Sequence, residues 1–132
     1  MIKYNGYILA DKIGKLCTRQ TGLFTPAHEK FYLYITVTTP EGVKNVFKTT
    51  YQYNPSAVKF ENNDGLNAVL MDATAAADAD NAGDFARLFG YDNAANARRA
   101  FNGCRRAYDY FIKAGLTTDD LNNILEALNN AQ

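Results

Sequence analysis

Four arginines stand in two adjacent pairs, seven residues apart: Arg98, Arg99, Arg105 and Arg106. Seven residues make nearly two turns of an α-helix, so both pairs fall on the same side of a helix. Together with Lys113 they span an arc of about 120° at ~100° per residue. A guanidinium group can hold a phosphate or a carboxylate through two parallel hydrogen bonds. These five residues are therefore the candidate binding site, and their chemistry suits a nucleic acid or an acidic protein surface.

A simpler interpretation of the same residues stays open. The segment from Asp72 to Asp84 is rich in aspartate, and its carboxylates could neutralise part of the basic face within the fold. The face could also be merely solvated. Three hypotheses therefore remain: a solvated or internally paired helix face, a docking surface for another protein, and a nucleic-acid-binding surface.

Other chemistry has little support in the sequence. His28 is the only histidine, and no recognisable nucleophile motif accompanies it. The aspartates from Asp72 to Asp84 lack the central glycine and the final glutamate of a calcium-binding loop, so helix caps and a solvated loop are expected there. No glycine-rich phosphate-binding loop is present. We expect no catalytic residues, no metal and no cofactor, and the sequence does not favour an enzyme.

Several tyrosines suggest a second surface. Tyr32, Tyr34, Tyr51 and Tyr53 lie in two segments that read as neighbouring strands. Such rings can form a platform on which single-stranded bases stack, but ordinary cross-strand packing explains them equally well.

The elements that must position these residues divide near Pro55. Before it, residues 30–39 alternate apolar and polar side chains with period two, as in a strand with one buried face. A Pro-Glu-Gly turn at 40–42 separates this strand from a second one at 43–53, which predicts an antiparallel hairpin. Shorter strands are expected at 7–10 and at 15–21.

After Pro55 the pattern is helical. The sequence predicts a helix from Gly65 to about Ala77, capped by Asp64, and then a short helix with Phe85, Leu88 and Phe89 as its apolar face. Gly90 can end the short helix. The longest helix is predicted at about 93–113, and a last helix follows an approximate capping box made by Thr117 and Asp120.

The long helix also carries an apolar stripe beside its arginines. The predicted core residues are Ala97, Phe101, Cys104, Tyr108 and Phe111, which fall within an arc of about 80°. Gly90, Tyr91 and Asn93 are expected to form the junction before this helix, with glycine ending one helix and Asp92 or Asn93 capping the next.

Length and composition indicate one α+β domain, with a sheet-forming part at about 1–55 and a helical part at about 64–130. The 132 residues are 47% hydrophobic and 21% charged, as in an ordinary globular protein. The net charge is zero, which argues against a wholesale mimic of DNA. Cys17 and Cys104 are too few for a disulfide framework and are expected to be reduced. No apolar segment approaches a membrane span, so we expect a protein of the cytoplasm.

Residues 31–113 resemble a group of small proteins carried by phages and other mobile elements. In that group a β-hairpin precedes an Asp-Ala-containing helix, an F-x-x-φ-x-G-Y-D stretch and a helix with an Arg-Ala, aromatic and Cys pattern. The matching residues here are Leu70, Asp72, Ala73, Phe85, Phe89, Gly90, Tyr91, Asp92, Arg99, Ala100, Phe101 and Cys104. The chain departs from the pattern at residues 93–100 and at Phe101, where tyrosine is commoner.

The resemblance implies an accessory protein that acts inside a bacterium, and such proteins often block host defence as anti-CRISPR or anti-restriction proteins. We therefore expect a non-catalytic inhibitor whose partner is a bacterial defence protein, for example a CRISPR-associated effector. The alternative is an accessory protein that binds nucleic acid through its arginines. No membrane partner is expected, and an oligomer is compatible with the sequence.

Overall fold

A computed structural model of the chain describes residues 1–19, 29–53 and 63–130. Four strands precede four helices, which confirms the predicted α+β class. The strands are β1 (Ile2–Tyr4), β2 (Tyr7–Arg19), β3 (Glu29–Thr38) and β4 (Lys44–Tyr53). The helices are α1 (Asp64–Ala77), α2 (Ala82–Phe89), α3 (Ala94–Lys113) and α4 (Thr118–Asn130).

Two compact units make up the chain, Met1–Leu66 and Asn67–Gln132. The first contains the sheet and the first turn of α1, and the second contains the remainder of α1 with the other helices. The single domain expected from chain length remains a prediction.

The sheet is an antiparallel meander in which the strands lie in their sequence order. The predicted hairpin is confirmed by the pairing of β3 with β4 from Glu29–Tyr53 to Thr38–Lys44. Its turn is closed by a hydrogen bond of 2.9 Å from the backbone N–H of Gly42 to the carbonyl of Thr39. Gly42 has a φ of +88°, a conformation that glycine adopts without steric cost.

A second hairpin, which the sequence interpretation missed, joins β1 to β2. Its two-residue loop is Asn5-Gly6, and both residues have positive φ, +46° and +87°. That combination is typical of the tight turn whose twist matches two antiparallel strands.

Strand β2 joins the two short strands predicted at 7–10 and 15–21 into one element. The join is irregular, because Ile13 pairs with Leu33 whereas Leu16 pairs with Phe31. Three steps along β2 therefore match two along β3, which is a β-bulge. Gly14 lies in this bulge, and a Cβ atom there would come within 2.8 Å of the ring of Tyr34.

The two faces of the sheet differ sharply in burial. The inner face carries the fully buried side chains Leu9, Leu33, Ile35 and Val37. Their neighbours along the strands point the other way, and this outer face is exposed or half-buried throughout its described residues. The period-two pattern of β3 therefore corresponds to a strand with one buried face, as predicted.

Helix α1 receives its N-terminal hydrogen bonds from the sheet. The carboxylate of Asp11 in β2 accepts hydrogen bonds from the backbone N–H groups of Asn63, at 3.4 Å, and Leu66, at 3.1 Å. The first N–H groups of a helix have no acceptor within the helix, so such a carboxylate stabilises its start. Asp11 therefore supplies capping from the sheet that the sequence pattern did not predict, in addition to the expected acidic residue Asp64 in the first turn of α1.

In the second unit, the junction between α2 and α3 is built as predicted. Gly90 ends α2 in the left-handed conformation, with a φ of +72°. The side chain of Asn93 accepts hydrogen bonds from Ala95 and Asn96 at the start of α3. The ring of Tyr91 stacks on Phe85 with 5.6 Å between their centroids. These contacts bridge the end of α2 and the loop that leads into α3.

The capping box before α4 is also confirmed. The backbone N–H of Thr117 donates to the carboxylate of Asp120 at 2.9 Å, and the N–H of Asp120 donates to the hydroxyl of Thr117 at 3.2 Å. The pair satisfies one amide at each end of the box.

Burial along α3 corrects the predicted core stripe. Ala97 and Phe111 are buried as expected, but so is Ala107, which was not in the stripe. Phe101, Cys104 and Tyr108 are only half-buried. The buried stripe is thus rotated away from the side of the helix that carries Phe101 and Arg105.

Candidate docking surface

The basic face of α3 is open to solvent. Arg98, Arg99, Arg105, Arg106 and Lys113 are all exposed. At ~100° per residue the centre of this face lies about 180° from the centre of the rotated buried stripe. The structure therefore presents the five cations together on the outward side of one helix, where they are available to a partner.

Two of the arginines are oriented by neighbours on their own helix. The Nε of Arg105 lies 3.4 Å from Oδ1 of Asp109, and its guanidinium carbon lies 4.9 Å from the centroid of the Tyr108 ring. Arg99 donates a hydrogen bond to the side-chain oxygen of Asn96 at 3.4 Å. Among the described residues, neither Arg98 nor Arg106 has a carboxylate oxygen within ion-pair distance.

Two aspartates of the aspartate-rich segment interact with residues outside the arginine face. Asp84 forms its ion pair with Arg87 in α2 rather than with an arginine of α3. The charge of Asp72 acts on Cys104: burial first, and then this nearby carboxylate, raise the pKa of the thiol to about 11. The arginine face is therefore not neutralised by Asp84.

A shallow depression of about 550 Å³ runs between the arginines. Arg99, Asn102, Arg105 and Arg106 line it. Guanidinium and amide groups converge here on one concave surface, which suits a carboxylate or phosphate group presented by a partner.

Three apolar side chains of α2 and of the loop that follows it are exposed. Leu88 is 58% exposed, Phe89 49% and Tyr91 41%. The sequence pattern assigned Leu88 and Phe89 to the buried face of α2 together with Phe85, but only Phe85 is buried. The C-terminal end of α2 and the loop that follows it therefore expose three apolar side chains. We call Leu88, Phe89 and Tyr91 the apolar cluster.

Ring contacts connect the apolar cluster to α3. The ring of Phe85 lies 4.7 Å from that of Phe89 and 5.7 Å from that of Phe101, measured between centroids. Phe101 is three residues after Arg98 and four before Arg105, so all three are neighbours on the helix surface. We name the combined surface the α2–α3 patch: Leu88, Phe89, Tyr91, Arg98 and Arg105.

The strand register shows how the four tyrosines singled out in the sequence are arranged. Tyr32 and Tyr34 are neighbours on the outer face of the sheet, with ring centroids 6.4 Å apart. Tyr51 and Tyr53 pair with Phe31 and Glu29 instead, so the four tyrosines do not form one set of cross-strand partners. The side chains of Tyr51, Tyr53, His28 and Cys17 lie outside what the structure describes.

Two other kinds of feature, a metal site and a membrane-spanning helix, are absent from the described residues. No group of three His, Cys, Asp or Glu side chains in those residues is arranged to hold a metal ion. No helix among them combines the length and apolar character needed to cross a membrane.

Comparisons of the chain with known protein families, with curated proteins and with solved structures found no match.

Proposed function

We propose that the chain is a non-catalytic interaction protein that binds another protein through the α2–α3 patch. The observation that carries the proposal is the chain of ring contacts that links the exposed Phe89, through Phe85, to Phe101 on the helix that carries the exposed arginines. Aromatic residues and arginine are enriched at protein interfaces, and the residues that dominate binding energy are drawn largely from tyrosine, tryptophan and arginine. Leu88 and Phe89 supply apolar area to the patch, and Arg98 and Arg105 supply its positive charge.

The apolar component favours a protein partner over duplex nucleic acid for this patch. A duplex would present only its phosphate backbone, and an exposed leucine beside a phenylalanine adds nothing to phosphate binding. A protein surface with an apolar centre and acidic margins would match both parts of the patch. Opposite charges at the margin would also increase the rate of association.

The resemblance to accessory proteins of phages and mobile elements suggests the partner's origin. We propose a bacterial defence protein, such as a CRISPR-associated effector, which the chain would inhibit by occupying a surface that the effector needs. Because the net charge is zero, inhibition would come from steric or conformational blocking rather than from imitation of DNA.

An affinity capture from bacterial lysate tests the proposal when it compares variants of equal charge. The test variant is Arg98→Glu with Arg105→Glu, and the control is Lys44→Glu with Lys48→Glu, which makes the same charge change on the sheet. The lysate is treated with nuclease so that contacts bridged by nucleic acid are lost. We expect the wild-type protein and the sheet variant to capture the same protein, and the arginine variant to lose it.

A second variant tests the apolar part of the patch. Phe89→Ser should weaken capture at least about tenfold, as expected for the loss of an aromatic anchor. Capture that the arginine and Phe89 variants leave unchanged would overturn the proposal. Capture that disappears on nuclease treatment, and that without nuclease is lost in the arginine variant but kept in the sheet variant, would instead identify nucleic acid as the ligand of the arginines.

A further inference from the structure

The outer face of the sheet is a second basic surface, distinct from the α2–α3 patch. The strand register aligns its residues in cross-strand rows. One row is Lys3, Ile8, Thr38 and Lys44, and another is Lys12, Tyr34 and Lys48. All four lysines are exposed, and each row begins and ends with one of them.

No carboxylate opposes these lysines among the described side chains of this face. Asp11 pairs with the buried residue Ile35 and accepts hydrogen bonds on the inner side. Glu41 lies in the turn after β3, beyond the end of the rows. The outer face therefore has a local charge of about +4, although the net charge of the whole chain is zero.

Aromatic rings lie between the lysines. The Nζ of Lys48 lies 4.0 Å from the centroid of the Tyr32 ring, a cation–π contact that holds the ammonium group at the surface. The neighbouring ring of Tyr34 packs over the backbone of Gly14 in the bulge of β2. Any larger residue at position 14 would displace the ring, so the bulge and its glycine fix where Tyr34 lies.

A cleft of about 670 Å³ opens on this face beside Tyr34. Its polar margin is formed by Lys12, Thr36 and Lys44, and its apolar lining includes Ile13 and Val46. Val46 is 56% exposed. The cleft thus combines an aromatic ring, an apolar floor and two ammonium groups on an open surface.

We propose that the outer face of the sheet binds single-stranded nucleic acid. Surfaces that bind single strands combine a positively charged groove for the backbone with aromatic side chains on which bases stack. Here the lysines at the ends of the rows would contact phosphates, and a base would lie against Tyr34 and the apolar floor. Strands β2 and β4 are two strand spacings apart, so the backbones of Lys12 and Lys48 are separated by about 10 Å.

Lysines alone could attract any polyanion. The apolar and aromatic side chains of this face favour single-stranded nucleic acid over a duplex or an acidic peptide. The bases of a duplex are stacked inside it, so a duplex would offer this face phosphates alone. An acidic peptide would match the lysines but would have no planar ring to place against Tyr34. Binding should therefore follow the order single strand, duplex, polyglutamate.

Fluorescence anisotropy with a labelled oligonucleotide of about twelve thymidines, at about 50 mM salt, tests the proposal on the full chain. The test variant is Lys12→Gln with Lys44→Gln, and the control is Arg98→Gln with Arg105→Gln, which removes the same charge from α3. For single strands, log affinity falls with log salt with a slope of about −0.7 for each phosphate contact. We expect the slope of the lysine variant to be shallower by about 1.4 and the slope of the arginine variant to equal that of the wild type.

A second pair of variants tests the ring. Tyr34→Phe keeps the ring and should retain binding, whereas Tyr34→Leu should weaken it at least about fivefold, which is the lower end for loss of one base–aromatic stack. Circular dichroism verifies that both variants fold. The proposal is overturned if the single strand does not bind or if polyglutamate binds as tightly. It is equally overturned if the arginine variant reduces binding as much as the lysine variant.

Discussion

The carboxylate of Asp11, in β2, lies 3.1 Å from the backbone nitrogen of Leu66 in the first turn of α1. This hydrogen bond joins residues 55 positions apart in the chain and attaches the start of the helix to the sheet. Because the same carboxylate also accepts from Asn63, one side chain serves two backbone groups that the helix itself cannot satisfy.

Removing that carboxylate should destabilise the protein. Asp11→Ala is expected to lower the free energy of unfolding by about 1–2 kcal/mol, the usual cost of losing a helix cap. Asp11→Asn keeps an acceptor oxygen and should cost less. Chemical denaturation with urea measures both, and equal stability of the alanine variant and the wild type would contradict the capping role.

Gly65 offers a test of the packing at the same place. A Cβ atom at Gly65 would lie 2.5 Å from Cδ1 of the fully buried Leu33. Gly65→Ala should therefore destabilise the protein by about 1 kcal/mol or more, even though alanine is the better helix former. Gly103 is the matched control, because a Cβ atom there would have its nearest neighbour at 3.9 Å. Gly103→Ala should stabilise by about 0.5–1 kcal/mol, and the opposite order of the two variants would refute the packing argument.

The two phenylalanines of α3 should differ in their contribution to stability. Phe111 is fully buried, and Phe111→Ala should cost about 3–5 kcal/mol. Phe101 is half-buried, so Phe101→Ala removes less area from the core and should cost about 1–2 kcal/mol. Thermal or urea unfolding compares them, and equal losses would show that the two rings are equally buried in solution.

Cys104 should be unreactive at neutral pH. Burial and the carboxylate of Asp72 raise the pKa of its thiol from 9.0 to about 11, so very little nucleophilic thiolate is present at neutral pH. Alkylation under these conditions should be slow in the native protein and fast in denaturant. Asp72→Asn should accelerate the native reaction by removing the negative charge. A native rate equal to the denatured one would contradict the burial of the thiol.

The same thiol makes stability depend on pH at the alkaline end. Its folded pKa is raised, so the folded state favours the neutral form, and this contribution is fully present below the unfolded pKa of 9.0. The contribution is lost as the pH rises from there through about 11. Urea denaturation of the wild type and of Cys104→Ala, at pH values between 9.0 and about 11, measures this contribution. The free energy of unfolding should decline more steeply with pH in the wild type than in Cys104→Ala.

Reversing charge on the basic face should have little effect on folding. Arg98→Glu with Arg105→Glu breaks the exposed contact between Arg105 and Asp109, and exposed ion pairs contribute only about 0–1 kcal/mol. The free energy of unfolding should therefore change by about 1 kcal/mol or less. Unfolding of this variant would mean that the arginines have a structural role, which would remove the basis of the docking proposal.

Local patterns predicted much of the fold. Period-two alternation in 30–39 and a Pro-Glu-Gly turn were sufficient for the β3–β4 hairpin, because both signals act over a few residues. The same holds for Gly90 and Asn93 at the α2–α3 junction. The hairpin at Asn5-Gly6 could have been predicted in the same way, because Asn-Gly is the strongest short-range signal for a hairpin.

Contacts between distant segments could not be predicted from local sequence patterns. Asp11 caps a helix that begins more than fifty residues later, and no spacing rule connects the two. The half-burial of Phe101 depends on which elements pack against α3, whereas a helical wheel shows only which residues share a side. The exposure of Leu88 and Phe89 has the same origin, so the apolar half of the α2–α3 patch was not predicted.

The basic face of α3 was predictable because its residues are close in sequence and helical geometry alone gathers them. The outer face of the sheet was predictable only in part. Alternation placed Lys44, Val46 and Lys48 on one side of β4, but their alignment with Lys12 and Tyr34 depends on strand register and on a bulge at Gly14.

The meander order of the strands bears on how quickly the sheet can form. Every pairing joins neighbours in the sequence, so β1–β2 and β3–β4 can each close across a short turn before they meet. Local pairings cost little loop-closure entropy, and chains dominated by them reach the native state faster than those that must first bring distant segments together. The hydrogen bonds of Asn63 and Leu66 with Asp11 span more than fifty residues, and they would form after the sheet. Assembly of the first unit should therefore begin with two independent hairpins and end with the docking of the start of α1.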